Sequence, residues 1–230
     1  ARHPKAKLNI HFDERGLGFF ALGMSLTSNR ATALIATSGT AVGNLTPAIM
    51  EAHHSGIPLI FLTADRPPEL RDNGANQTSD QVKIFQNFVR WQIELPCPCE
   101  ELGEQFARSQ IAYAAFQAES KQGPVQVNCQ FREPLFHPPI ELTEGRRQHF
   151  LFSKSNCEPA ACKPLLERAK HGLILMGRLN DDACLPSIFR LAESLQWPIF
   201  ADLLSHGKIR HPQIIQHFDY AIRSKQREKP

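Results

Sequence analysis

Two uninterrupted apolar runs limit what this chain can fold into: Ala31–Thr37 (ATALIAT) and Ile57–Ala64 (IPLIFLTA). Neither alternates apolar with polar residues, so each predicts a strand buried on both faces. Such strands belong in a parallel sheet covered by helices, and the intervening AVGNLTPAIMEAHHS carries a helical pattern. The alternation continues on either side. LNIHF predicts a short strand leading into the helix ERGLGFFALGMSLTS, and VRWQIEL and PVQVNC predict strands flanking the helix ELGEQFARSQIAYAAFQAE. Residues 1–133 are therefore expected to form a doubly wound α/β domain.

The texture changes after Cys129. Residues 134–156 are rich in proline and charge without a sustained period, as expected of a linker. Residues 157–230 then open a second α/β domain: CKPLLERAK and DDACLPSIFRLAESLQ as helices, HGLILMG and WPIFADLL as strands. One βαβ unit takes about 30 residues, so this stretch is expected to be only part of a domain.

Composition serves mainly to exclude. The 26 basic and 23 acidic residues give a net charge of +3, scattered rather than clustered, which argues against nucleic acid as a partner. No apolar run approaches the roughly 20 residues of a membrane span, and ARHPKAKLN has no apolar core behind it to make a secretory signal. The six cysteines form no C-x-x-C pair and are expected to be the reduced thiols of a cytoplasmic protein. His53 and His54 are adjacent, so they cannot share one helix face, and no metal site is assigned to any of these residues.

In an open parallel sheet, ligands bind beyond the carboxyl ends of the strands. Three polar loops are expected there. The first is DERG, where Asp13 is a natural N-cap and Glu14 either serves the helix dipole or is aimed off the sheet as an acid. The second is Ser38-Gly39-Thr40, where Ser38 is either a plain N-cap or part of a turn whose backbone N–H groups face a ligand. The third is DRPPELRDNGANQ: Arg66 is stiffened by Pro67-Pro68 and followed by Asn76 and Gln77. An arginine there is a natural two-pronged partner for a carboxylate. A dinucleotide fingerprint fails, because Gly16, Gly18 and Gly23 have the wrong spacing and lie within the helix; no P-loop is present.

HFDERGLGFFALG, ATSGTAVGNLTPAIMEA and LTADRPPELRDNGANQ closely resemble the 2-succinyl-5-enolpyruvyl-6-hydroxy-3-cyclohexene-1-carboxylate synthase family, the thiamine-diphosphate enzymes of menaquinone biosynthesis. The resemblance runs from the first predicted strand to WPIFADLLS and is most specific at T-A-D-R-P-P-E-L and G-A-N-Q. It implies a pyrimidine-binding domain in which Glu14 hydrogen-bonds the aminopyrimidine and promotes loss of the thiazolium proton. A carboxyl that shares a proton at neutral pH needs apolar neighbours, and Phe12, Leu17 and Phe19 are the expected ones. The resemblance further implies that Ser38, Gly39 and Thr40 lie beside the pyrimidine, and that Arg66, Asn76 and Gln77 line the substrate pocket. The family reaction decarboxylates 2-oxoglutarate and adds the carbanion to isochorismate.

Family members also carry an earlier P-G-S-R-S turn and a later domain that holds Mg2+ and the diphosphate. No counterpart of either is found in this sequence. The chain is thus expected to lack the first strand unit and the metal site, and to be inactive alone. In the family the cofactor lies between subunits, which implies a homodimer or homotetramer for the complete enzyme. The alternative class is a non-catalytic α/β binding or regulatory module derived from such an enzyme.

Overall fold

A computed structural model describes residues 6–99, 101–135, 150, 162–179, 182–205 and 211–223. Most of the expected linker, together with Cys157, Asp181 and the last seven residues, lies outside the described residues. The chain divides into two compact units, residues 1–153 and 154–230.

The first unit is built on four parallel strands, β1 (Thr32–Ala36), β2 (Leu59–Asp65), β3 (Trp91–Leu95) and β4 (Pro124–Gln130), in the order β1-β2-β4-β3. The two apolar runs that predicted buried strands lie side by side, with Leu34 opposite Phe61 and Ala36 opposite Thr63. β4 inserts between β2 and β3, pairing Asp65 with Gln130 and Leu95 with Cys129. Helices cover both faces. On one, Leu22 of α1 (Glu14–Ser28), Ile49 of α3 (Thr46–Ser55) and Leu45 just before α3 pack against Leu34, Leu59 and Phe61. On the other, α4 (Glu104–Ser120) packs Ala114 and Ala118 against Ile60, Val125 and Val127. A Cβ on Gly18 would come within 2.6 Å of the Ala48 Cβ, so the α1–α3 approach depends on a bare backbone there.

The structure departs from the sequence expectation at two points. AVGNLTPAIMEAHHS is not one helix but two, α2 (Thr40–Asn44) and α3. Pro47 has no N–H to return to the Gly43 carbonyl, and the Thr46 hydroxyl donates to that carbonyl instead, at 2.7 Å. LNIHF forms no strand: residues 8–12 join no ladder among the described residues, and Phe12 is fully exposed at 102%. Its alternation would bury Leu8, Ile10 and Phe12 only if a strand edge accepted it. Instead Lys7–His11 lies along a groove of about 850 Å³ beside α1 and the open edge of β1, where Ile35 is 70% exposed.

The connection from β2 to β3, residues 66–90, contains one short 3-10 turn (Pro68–Leu70) and no other regular element. A connection that long with so little regular structure is usually a functional one. It starts at the carboxyl end of the sheet, where the polar loops meet.

The second unit holds β5 (Ile174–Met176) and β6 (Ile199–Ala201), paired in parallel, with α5 (Lys163–Arg168), α6 (Leu185–Leu195) and α7 (Phe218–Arg223). Met176, Leu185, Ala192, Ile199, Ala201 and Ile214 form its core. Pro186 sits in the first turn of α6, where its missing N–H is not needed.

Candidate active site

The site is assembled around one peptide bond, between Ser38 and Gly39. β1 ends at Ala36, and Gly39 then takes φ 77°, ψ −139°, a backbone state open to glycine. The Gly39 N–H donates to the Gln81 Oε1 at 2.8 Å. On the opposite side, the Ser38 carbonyl accepts from the Gln77 Nε2 at 3.1 Å. The Ser38 hydroxyl in turn donates to the Gln77 carbonyl at 2.9 Å. A peptide that glycine would leave loose is therefore gripped by two glutamines of the 66–90 connection.

Two sequence expectations change here. Ser38 is not an N-cap; Gly39 occupies that position in α2 without a side-chain cap. The Gly39 N–H also turns inward to Gln81 rather than toward a ligand. The geometry fixes what Gln77 can offer. Its Nε2 donates to Ser38 O and to Thr37 Oγ1 at 3.2 Å, which uses both amide hydrogens. Ser38 O can only accept, so the nitrogen must face it, and Gln77 presents Oε1 as a hydrogen-bond acceptor.

Arg66 follows directly from β2. Its backbone N–H is fixed by Asp65 Oδ1 at 2.8 Å, and its Nε lies 3.4 Å from the Asn76 carbonyl. Its two terminal nitrogens make no hydrogen bond with the described residues. Arg66, Asn76, Gln77, Ser38 and Gly39 thus form one neighbourhood, with Thr40 exposed at the start of α2. Glu14 stands apart from them. It is half-buried in the first turn of α1, and Asn44, at the other end of α2, donates to its Oε2 at 3.2 Å. Asp13 is the N-cap, accepting from the Gly16 N–H at 2.7 Å. The apolar enclosure expected around Glu14 is not formed by the residues named for it. Phe12 and Phe19 are exposed, and only Leu17 packs on the core.

Beneath this layer lies a buried polar network that the sequence reading missed. Asn128 in β4 is fully buried and uses all four of its hydrogen-bonding positions. Its Oδ1 accepts from Thr63 Oγ1 at 2.8 Å and Gln81 Nε2 at 2.9 Å; its Nδ2 donates to Asp65 Oδ2 at 2.8 Å and Glu94 Oε2 at 2.6 Å. Arg71 pairs with Asp65 at 2.8 Å. The Glu94 carboxyl is pushed above its ordinary range, first by burial and then by the neighbouring Asp65 and Asp80, against the opposing pull of Asn128 and Arg71. Burial, aided by Glu94, pushes the Cys129 thiol up to about 11. The signal for this network was present in the strands, as the polar residues of LIFLTAD, WQIEL and PVQVNCQ. A polar side chain inside a covered parallel strand needs partners, and these side chains are partners of one another.

Among the described residues no group of three metal-ligating side chains occurs, and no helix is long and apolar enough to cross a membrane. The doubly wound sheet, with its polar loops at the carboxyl ends of β1 and β2, has the form of a cofactor-binding α/β domain. Residues 1–84 match the family model described as thiamine pyrophosphate enzyme, N-terminal TPP binding domain. Its N-terminal part is thus similar to the cofactor-binding domain of the thiamine-diphosphate-dependent enzymes. Among them the chain is similar to 2-succinyl-5-enolpyruvyl-6-hydroxy-3-cyclohexene-1-carboxylate synthases. It is 39% identical to that of Salinibacter ruber and 40% identical to that of Aeromonas salmonicida, in each case across 97% of this chain and 41% of the relative. It is 42% identical to that of Chloroflexus aurantiacus, across 89% of this chain and 36% of the relative. The chain therefore spans about two fifths of the length of the curated relatives it matches.

Proposed function

We propose that this chain supplies the pyrimidine-binding part of a synthase that decarboxylates 2-oxoglutarate and joins the product to isochorismate in menaquinone biosynthesis. One observation carries the proposal: the loop bearing Arg66, Asn76 and Gln77 is fastened to the Ser38–Gly39 turn, bringing the terminal nitrogens of the Arg66 guanidinium to the edge of a thiamine-enzyme fold. The donor set fits the uncharged pyrimidine end of the cofactor. Glu14 offers a carboxylate and Thr40 an exposed hydroxyl, while the Ser38 hydroxyl is spent on the Gln77 carbonyl. When bound, thiamine diphosphate supplies a nucleophilic carbon and an electron sink for a 2-oxo acid.

The roles of the chain's own residues follow from their free atoms. Glu14 Oε1 makes no hydrogen bond with the described residues and would hold a proton against a ring nitrogen. Arg66 binds a substrate carboxylate through its two terminal nitrogens, and both substrates carry one. Gln77 accepts from a substrate donor through Oε1, and Asn76 lines the same pocket. We assign Mg2+ and the diphosphate to residues other than those named here. The working enzyme is a cytoplasmic homodimer or homotetramer.

The test uses a protein of the relatives' length that contains these residues. With thiamine diphosphate and Mg2+, carbon dioxide release from 2-oxoglutarate and capture of the product by isochorismate are expected. No release under those conditions would favour the non-catalytic module instead.

A further inference from the structure

We infer that Gln81 is a positioning residue that sets the direction of the Ser38–Gly39 peptide, and that its own direction is dictated, through Asn128, by the Asp65 carboxylate. The Asp65 carboxylate, paired with Arg71, can only accept, so Asn128 must turn its Nδ2 toward it, at 2.8 Å; the same nitrogen meets Glu94 at 2.6 Å. That leaves Asn128 Oδ1 facing Gln81, which must present Nε2 to it, at 2.9 Å. The second hydrogen of the same Nε2 goes to the Ala64 carbonyl at 2.9 Å. Gln81 Oε1 is then the atom that meets the Gly39 N–H. Each amide has one allowed orientation, and the order runs from the Asp65 carboxylate to a backbone turn.

Gln81 is suited to this task. Its exposure is 0%, so water cannot substitute for a lost partner. A reversed peptide would place the Ser38 carbonyl against Gln81 Oε1, acceptor against acceptor. The turn is thereby held in one of the several states that Gly39 could otherwise adopt. Gln77 grips the same peptide from the ligand side, so Gln81 also indirectly fixes where Gln77 Oε1 is presented. The meaning of this for catalysis rests on the proposed pyrimidine site; the orientation itself rests on the hydrogen bonds.

The test is amide exchange by NMR on the full 230-residue chain, with Leu62 and Val127 as references in the interior strands and Gly74 as an exposed one. In the parent, Gly39 should exchange at least about 100-fold more slowly than Gly74, as an amide that opens only with the network. In Gln81→Leu, its protection should fall at least about 10-fold while Leu62 and Val127 change by less than about threefold. Exchange of parent Gly39 at the rate of Gly74, or unchanged protection in Gln81→Leu, overturns the inference. The first criterion needs no variant, so it decides even if Gln81→Leu does not fold. Thiamine is then titrated into both proteins. Shifts at Gly39 and Thr40 in the parent, and much smaller ones in Gln81→Leu, are expected. If parent and variant respond equally, the positioning role is overturned. An absence of shifts in the parent counts against the pyrimidine reading, and the exchange result still decides the role of Gln81.

Discussion

Asn128 donates one amide hydrogen to Glu94 at 2.6 Å, and Glu94 is half-buried at the carboxyl end of β3. Burial raises the Glu94 carboxyl above its ordinary value of 4.5. A folded-state value above the unfolded one favours the folded state only while the group is protonated. This contribution is fully present below about 4.5 and is lost as pH rises through the elevated value. Glu94→Gln should therefore raise the unfolding midpoint at pH 8 and converge with the parent near pH 4. Urea melts at the two pH values check it; a difference independent of pH would exclude the mechanism. The exposed Glu69 has the opposite sign: the hydrogen bond from Arg132 lowers it to about 2, so its contribution fades as pH falls toward that value.

Cys129 gives a chemical check on the same pair. With its thiol at about 11, the thiolate fraction at pH 8 is about 0.001, against roughly a quarter for an ordinary thiol. Alkylation by iodoacetamide at pH 8 should be at least about 100-fold slower than for a free small thiol. Because Glu94 contributes to the elevation, Glu94→Gln should speed the reaction.

Asn128→Ala tests the network as a whole. It leaves one buried amide hydrogen of Gln81 without an acceptor and the half-buried Glu94 without its Asn128 donor. A stability loss of about 2–4 kcal/mol by urea unfolding is expected, several times that of an exposed polar substitution. A loss below about 0.5 kcal/mol would mean that water or neighbours replace Asn128 without difficulty.

The residues that open α1 should divide their roles cleanly. Asp13→Ala removes the cap on Gly16 and should cost about 0.5–2 kcal/mol of stability. In the full-length synthase, Glu14→Gln should instead lower kcat roughly 100-fold or more, as for loss of an acid–base group, with binding largely kept. Single-turnover decarboxylation of 2-oxoglutarate distinguishes the two. Near-normal turnover in Glu14→Gln would reduce Glu14 to a helix-start residue.

Arg66→Ala in the same protein should raise KM for one carboxylate substrate by about 10-fold or more, the scale of a lost two-pronged charged contact. Steady-state kinetics with each substrate varied in turn shows which. An unchanged KM for both would remove Arg66 from the substrate pocket.

Much of the fold was legible because its signals are local. Apolar runs without alternation gave β1 and β2, and the aspartate before ERGLG marked the start of α1. LNIHF misled because alternation says only that a segment could line a sheet, not that an edge will accept it. The site loops were legible in part, since Arg66, Asn76 and Gln77 lie in a long polar connection. Gln81 and Asn128 were not: they stand 47 positions apart, and neither has a local pattern that predicts the other. Only the insertion of β4 beside β2 makes them neighbours.

Pinning the Ser38–Gly39 peptide from both sides joins residues 37–39, 66–81 and 126–130 into a unit of inheritance. A loop grafted from a relative at residues 66–77 would leave Gln81 behind, and one grafted with Gln81 would still depend on the host's Asn128. Recombination between relatives should therefore tolerate crossovers in the run from Val82 to Arg90 only when β4 travels with the loop. Where a relative carries other residues at Ser38, Gln77 or Gln81, crossovers between Gly39 and Gln77 should yield chimaeras whose two halves are each native but whose turn is unset.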